Sequence, residues 1–175
     1  MKFTAISDLH GYLPKDLPGG DVLCICGDIV PLDYQSDFTQ SVAWFCLDFA
    51  PWADSQPYRK VVFIGGNHDF FLQELGERHR PSSVMKHLLL LTHMPPLACD
   101  AGRVLQHGSY NTMTNYGSQA LADAISARDI DYALCGHVHT GNHFPEPFGC
   151  VRNVVNVSLK DENYKIAFKP FNFEI

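Results

Sequence analysis

The sequence predicts an α/β fold, because short apolar runs alternate along the chain with segments of helical periodicity. Apolar residues make up 46% of the 175 residues and charged residues 18%, a balance typical of a compact protein with a hydrophobic core. The apolar runs are rich in β-branched residues, and polar residues follow them. We therefore expect strands buried on both faces, with polar side chains at their carboxyl ends, in a single domain spanning residues 1–175.

Six apolar runs are predicted to be strands. They cover residues 2–7, 21–26, 61–64, 88–92, 132–135 and 154–157. Lengths of four to six residues bounded by turn-forming residues favour strands over helices.

Helical periodicity appears between these strands. Apolar residues from Phe38 to Phe49 fall on one helix face, and Ser36 or Asp37 can cap that helix. A second helix is predicted around residues 121–125, after Gly117 and Ser118, and a short helix beginning at Phe70.

The remaining segments give weaker patterns. Residues 100–117 are rich in glycine and polar residues without a clear period, which is typical of a surface loop. Residues 155–159 and 165–169 alternate around a predicted turn at 160–163, and this pattern predicts a hairpin.

The charge of the chain restricts its partners. A formal net charge of −6 without a basic stripe argues against binding to a nucleic-acid duplex. Asp8 interrupts the first apolar stretch too early for a signal peptide, and no apolar run is long enough to cross a bilayer. We expect a cytoplasmic protein without membrane contact, and the sequence leaves its oligomeric state open.

Short polar clusters that follow the predicted strands carry residues suited to chemistry. They are Asp8-Leu9-His10, Gly27-Asp28, the segment 65–69 (GGNHD), Thr92-His93 and the segment 136–139 (GHVH). Strand ends of an open α/β sheet converge on one edge, so these distant clusters are expected to share a cleft.

Seven residues of these clusters are metal-ligand types: Asp8, His10, Asp28, Asn67, His93, His137 and His139. Their mixture of oxygen and imidazole donors favours manganese, iron, zinc, cobalt or nickel. Seven donors exceed the needs of one tetrahedral ion, whereas two ions roughly 3.5–4 Å apart would use them all. Asp28 is the preferred bridging carboxylate.

The spacing within two clusters is also informative. Asp8 and His10, like His137 and His139, stand two residues apart, so on extended backbone both members of a pair point to one side. Each pair can then reach one ion.

The ordered motifs DLH, GD, GNHD, H and GHVH closely resemble the calcineurin-like metallophosphoesterase superfamily, over the span from Asp8 to His139. The segments GGNHDF, THMPPL, GHVHTG and VVNVS are most similar to small metallophosphoesterase-domain phosphodiesterases. This resemblance implies two packed mixed β-sheets flanked by helices, a four-layer sandwich in shortened form.

The resemblance also implies roles for the residues. Asp8, His10, Asp28 and His139 would hold the first divalent ion, and Asp28, Asn67, His93 and His137 the second, with manganese favoured. Catalysis would involve Asp28, Asn67 and His68. Asn67 and His68 would bind substrate, and His68 would protonate the leaving oxygen.

The chain departs from the family pattern in two places. Many members have a second Asp three residues after the bridging Asp, followed by Arg in the protein phosphatases, whereas Pro31 stands at this position. This argues against a phosphoprotein phosphatase and leaves Asp33 or Asp69 as the partner of His68. The interval from Asn67 to His93 is short, which predicts a missing piece of sheet and an open cleft.

We expect hydrolysis of a small phosphodiester by attack of a metal-bridging hydroxide, with a cyclic nucleotide as one candidate substrate. The alternatives are a phosphomonoesterase acting on nucleotides or sugar phosphates, and a nucleotide-binding module with little turnover.

Overall fold

Two four-stranded mixed sheets form the centre of the protein in the computed structural model, which describes residues 1–75, 89–106 and 112–175. The strands are β1 (Lys2–Ile6), β2 (Gly20–Cys26), β3 (Tyr58–Ile64), β4 (Leu89–Leu91), β5 (Arg103–Gln106), β6 (Thr112–Asn115), β7 (Ile130–Cys135), β8 (Glu146–Phe148), β9 (Val151–Asn156) and β10 (Phe171–Glu174). The helices are α1 (Phe38–Trp44), α2 (Ala50–Ser55), α3 (Phe70–Leu75) and α4 (Gln119–Ile125), with a π-helical segment (Phe45–Phe49) joining α1 to α2.

Each sheet has parallel strands and one antiparallel edge strand. The first sheet has the order β10-β1-β2-β3, in which β10 is antiparallel to β1. The second has the order β4-β7-β9-β8, in which β8 is antiparallel to β9. The parallel strands of both sheets match the six runs predicted from sequence, although β3 and β9 each begin three residues earlier than predicted.

The two sheets pack face to face, with helices on their outer faces. Ala5 and Cys24 of the first sheet lie in one buried cluster with Leu134 and Val155 of the second. On the outer face of the first sheet, the π-helical segment contributes Phe49 to a cluster with β1 and β2. On the outer face of the second sheet, α4 packs against β7 and β9. The predicted four-layer arrangement is therefore confirmed.

The helix starts follow the predicted caps. The side chain of Asp37 accepts a hydrogen bond from the backbone N–H of Gln40 (3.0 Å), and the hydroxyl of Ser118 accepts one from Leu121 (3.2 Å). These caps satisfy amide groups that a helix leaves unpaired at its N-terminus. In the ranges described, no helix is long and apolar enough to cross a membrane.

The loop predicted for residues 100–117 is wrong. A 3₁₀ turn (Asp100–Gly102) leads into the antiparallel pair β5 and β6, which runs in register from Arg103 opposite Asn115. This small ribbon lacks an apolar face of regular period, so the pattern on which strand prediction depends is missing. Residues 107–111 lie outside the described ranges.

The predicted C-terminal hairpin forms only in part. The chain reverses at the predicted turn, where Lys160 and Ile166 form an antiparallel bridge and the amides of Ala167 (3.0 Å) and Phe168 (3.1 Å) donate to the carbonyl of Leu159. Strand β9 itself lies between β7 and β8 in the second sheet. Besides β5 and β6, sequence analysis missed β8 and β10, and β10 pairs with β1 at the other end of the chain. Alternation of Phe171 and Phe173 was a usable signal for it.

Inter-sheet packing gives a prediction for stability. Leu134 is fully buried between the sheets, so Leu134→Ala should lower the free energy of unfolding by about 2–5 kcal/mol through lost burial and a cavity. Urea denaturation measures this change. Leu47→Ala is the matched control, because Leu47 is 75% exposed and its truncation should change stability by less than about 0.5 kcal/mol. Equal losses in both variants would contradict the described packing.

Candidate metal centre

The predicted ligands follow the carboxyl ends of five parallel strands drawn from both sheets. Asp8 and His10 follow β1, Asp28 follows β2, Asn67 follows β3, His93 follows β4, and His137 and His139 follow β7. Because the two sheets pack face to face, their strand ends meet at one edge of the sandwich.

Four of these residues have left-handed backbone conformations. The φ angles are 57° at Asp8, 43° at His10, 53° at Asp28 and 66° at His137. A non-glycine residue in this region costs about 1–3 kcal/mol and is found where the surrounding structure enforces it, often at functional sites. The amides of Asp8 and His10 are held by the carbonyls of Gly27 (3.0 Å) and Asp28 (2.8 Å).

The expectation that extended backbone orients the paired ligands is therefore wrong for Asp8, His10 and His137. Tight turns at the strand ends direct these side chains instead. Sequence spacing identified which residues converge, but not the backbone conformation that makes them do so.

The first group of candidate ligands consists of Asp8, His10 and His139, whose ligand atoms lie within 4.8 Å of one another. His139 Nε2 lies 3.4 Å from Asp8 Oδ1, and His10 Nε2 lies 3.7 Å from Asp28 Oδ2. The His10 side chain is 1% exposed, and neither ring nitrogen has a hydrogen-bond partner among the described residues. A buried imidazole without a partner is unfavourable, and coordination of a cation would satisfy it.

The second group consists of Asp28, Asn67, His93 and His137. His93 Nε2 lies 3.3 Å from Asp28 Oδ2 and 2.8 Å from Asn67 Oδ1. Asn67 Oδ1 is also 3.0 Å from His137 Nδ1. Asp28 Oδ2 thus lies between His10 of the first group and His93 of the second, the position expected of a bridging ligand. Asp8 also lies within 4.8 Å of Asp28 and His93.

Backbone carbonyls orient two of the imidazoles. His93 Nδ1 donates to the carbonyl of Cys26 (3.0 Å), and His139 Nδ1 donates to the carbonyl of Asp161 (2.8 Å). Each bond fixes the ring and leaves Nε2 directed at the carboxylates, as is usual for metal-binding histidines.

The electrostatic environment favours ionised acids at the centre. Burial acts to raise the pKa of Asp8, but the hydrogen bond from His139 and the nearby imidazoles outweigh it and lower the pKa. For Asp28, burial is likewise outweighed by the hydrogen bond and charge of His93, so its pKa is lowered too. Burial lowers the pKa of His10 to about 4, which keeps this imidazole neutral. Ionised carboxylates and a neutral imidazole are the forms that bind metal ions.

The pKa of His93 is shifted in the opposite direction from the pKa of His10. Burial acts to lower its pKa, but the hydrogen bond to Asp28 and the charge of that carboxylate raise it to about 9. His93 is therefore protonated at neutral pH without an ion, and binding of a metal would release that proton.

His68 has a different partner from the two predicted for it. Its Nδ1 contacts Oε1 of Gln35, whereas the Asp69 carboxylate accepts hydrogen bonds from the amides of Gly66 (2.9 Å), Ile29 (3.0 Å) and Val30 (2.9 Å). No contact joins Asp33 to His68 among the described residues. The prediction of Asp33 or Asp69 is wrong, because Asp69 holds backbone turns and the turn after Pro31 presents Gln35 instead.

Five of the seven candidate ligands line a cavity of about 300 Å³, and Asp8 and His93 do not. Its described walls are formed by His10, Asp28, Asn67, His68, Val104, Tyr116, His137, Val138, His139, Thr140, Glu162 and Tyr164. Sequence analysis missed Glu162 and Tyr164 as site residues. The predicted turn at 160–163 was a signal for a loop there, but nothing in the sequence connects that loop to the strand ends.

Comparisons with known proteins give one matching family model and two similar proteins. The sequence model of the calcineurin-like phosphoesterase family matches residues 1–141. Among curated proteins, the probable rhamnogalacturonate lyase C of Emericella nidulans is 30% identical over 79 residues, which cover 45% of this chain and 7% of that protein. Among solved structures, a single mutant of Vps29 from Entamoeba histolytica aligns with 91% of this chain and 75% of its own, at 14% identity and a TM-score of 0.37.

Proposed function

Since the chain belongs to the calcineurin-like phosphoesterase family, whose model covers residues 1–141, we propose that it hydrolyses small phosphodiesters with two divalent metal ions. The observation that supports this proposal most is the buried, unpartnered imidazole of His10 beside the carboxylates of Asp8 and Asp28. Such an arrangement is stable in a folded protein when a cation satisfies it.

We assign the first ion to Asp8, His10, Asp28 and His139, and the second to Asp28, Asn67, His93 and His137. His10 Nε2 lies 3.7 Å from Asp28 Oδ2, and His93 Nε2 lies 3.3 Å from the same oxygen. These two distances support a bridging role for the Asp28 carboxylate. The donor set of imidazoles and oxygens favours manganese, with iron, zinc, cobalt and nickel as alternatives. Paired divalent ions polarise a phosphoryl group and supply a nucleophile at neutral pH.

Asn67 and His68 are the proposed substrate contacts. Both line the cavity, and His68 Nε2 lies 3.8 Å from Asp28 Oδ2 with the side chain 24% exposed. Gln35 Oε1 can accept the proton of Nδ1, which leaves Nε2 directed towards the cavity. His68 then protonates the leaving oxygen as a general acid.

We propose that residues 1–175 form one catalytic domain, because the candidate ligands follow strands of both sheets. A nucleotide substrate, including a cyclic one, remains a prediction, as do the cytoplasmic location and the absence of a nucleic-acid duplex among the partners.

Comparison of two chromogenic substrates tests the proposal. With added manganese, bis-p-nitrophenyl phosphate should be cleaved with a higher kcat/KM than p-nitrophenyl phosphate, because the site is proposed to act on diesters. Faster cleavage of the monoester would favour the phosphomonoesterase alternative. Tight nucleotide binding without turnover of any phosphoester in a broad panel would favour a binding module.

A further inference from the structure

A rigid turn at residues 161–165 forms one wall of the cavity. The backbone amide of Asp161 donates a hydrogen bond to the carbonyl of Lys165 (2.9 Å). The side-chain Oδ1 of Asp161 accepts hydrogen bonds from the amides of Asn163 (2.9 Å) and Lys165 (3.0 Å). Asp161 also accepts the bond from His139 Nδ1 through its carbonyl. The turn is therefore fixed directly to a candidate metal ligand.

Tyr164 reinforces this attachment. Its ring lies edge-on to the imidazoles of His10 and His139, with centroid separations of 5.0 Å and 5.2 Å. Its backbone has a φ of 59°, so the turn holds this residue in the left-handed region. A turn fixed at both its backbone and its aromatic side chain keeps the backbone of Glu162 in a defined place beside the cavity.

Glu162 is the charged side chain that this turn brings to the cavity wall. Its carboxylate makes no hydrogen bond or ion pair with any other described residue, so it is available to act on whatever enters the cavity. The turn is closed by Asp161, not by Glu162. A change at Glu162 should therefore leave the turn intact.

Among the described residues, no Lys or Arg lines the cavity wall together with Glu162. Lys160 lies close by, but its side chain is buried beneath the centre, with Nζ 3.5 Å from the carbonyl oxygen of His10. An anion in the cavity thus experiences the charge of Glu162 without a compensating lysine or arginine on the described wall.

Phosphate esters differ in the charge they would bring to this cavity. A phosphodiester carries one negative charge, whereas a phosphomonoester has a second pKa of about 6 and is mainly a dianion at neutral pH. Across several ångströms at a partly solvated site, repulsion of one extra charge changes affinity by a factor on the order of ten. A nearby carboxylate therefore penalises the monoester more than the diester.

We propose that Glu162 is a specificity-determining residue that disfavours dianionic phosphomonoesters and so favours monoanionic phosphodiesters. This inference rests on the proposed function, since it assigns a substrate preference to the same site.

Charge variants at position 162 test the proposal through the ratio of kcat/KM for p-nitrophenyl phosphate to that for bis-p-nitrophenyl phosphate. At low ionic strength, Glu162→Gln should raise this ratio by a factor on the order of ten, while Glu162→Asp should stay near the wild-type value. The rise should shrink as salt is added, because ions screen exposed charges. Glu174→Gln is the matched control: it removes the same charge from an exposed strand position that does not line the cavity, and should leave the ratio unchanged.

A ratio that is the same in Glu162→Gln and Glu174→Gln would overturn the assignment of Glu162. Equilibrium binding of methyl phosphate and dimethyl phosphate to the manganese-loaded protein gives the same comparison without turnover. If the wild-type protein cleaves neither chromogenic substrate, the proposed function fails. The binding ratio then still decides the role of Glu162: tighter methyl phosphate binding by Glu162→Gln alone supports it, and equal binding in all variants refutes it.

Discussion

Asp28→Ala should lose bound metal and phosphoester hydrolysis together. The Asp28 carboxylate lies between the two ligand groups, and its side chain is 3% exposed, so water cannot readily replace it. Loss of a group that merely supports a metal ligand typically lowers metal affinity about 10–100-fold, and loss of a bridging ligand should exceed that. Metal content after dialysis, together with kcat for bis-p-nitrophenyl phosphate, measures both effects.

Two further variants separate metal loss from misfolding. Asp28→Asn keeps the shape of the side chain and tolerates the left-handed backbone, yet removes the charge, and should also lose metal. Asp33→Ala changes an exposed aspartate just beyond the same strand end and should retain both metal and activity. Full metal content in Asp28→Asn would show that this carboxylate does not bridge the ions.

His68→Ala should keep its metal but turn over more slowly, by about 10²–10⁴-fold, the range expected for loss of a general acid. His68 contacts Gln35 through its ring and belongs to neither ligand group, so its removal leaves the candidate ligands in place. The hydrogen bond from its backbone amide to Asp28 Oδ1 (3.0 Å) survives the substitution.

Leaving-group chemistry makes this test specific. A general acid matters most for a poor leaving group, so the defect of His68→Ala should be larger for diphenyl phosphate than for bis-p-nitrophenyl phosphate. A uniform defect would indicate a role in positioning the substrate. Metal loss equal to that of Asp28→Ala would instead make His68 a ligand.

The sequence predicted the parts of the fold that depend on local patterns. Buried parallel strands are continuous apolar runs, so β1, β2 and β7 were recognisable, and the polar residues after them identified the convergent edge. Strand β10 has a local signal in the alternation of Phe171 and Phe173, but its pairing with β1 joins the two ends of the chain and no local pattern specifies that partner.

The site was predictable in its residue types, but not in its supporting contacts. Asp8, Asp28 and the histidines stand in short motifs directly after strands. Gln35 and Glu162 reach the site from turns whose positions depend on tertiary packing, and neither residue type marks a phosphoesterase site by itself. The roles of side chains that reach a site from loops can be assigned only from a three-dimensional structure.

The left-handed residues at the strand ends have a thermodynamic consequence for the protein as a whole. Asp8, His10, Asp28 and His137 keep the metal-free chain in a conformation that its own backbone disfavours, and two of them bring carboxylates together out of water. Ions that bind only the native state offset this cost by mass action, so folding and ion uptake are linked equilibria. The melting temperature of this protein should therefore depend on the free concentration of divalent metal, and starvation for that metal would make the chain a better substrate for cellular proteases.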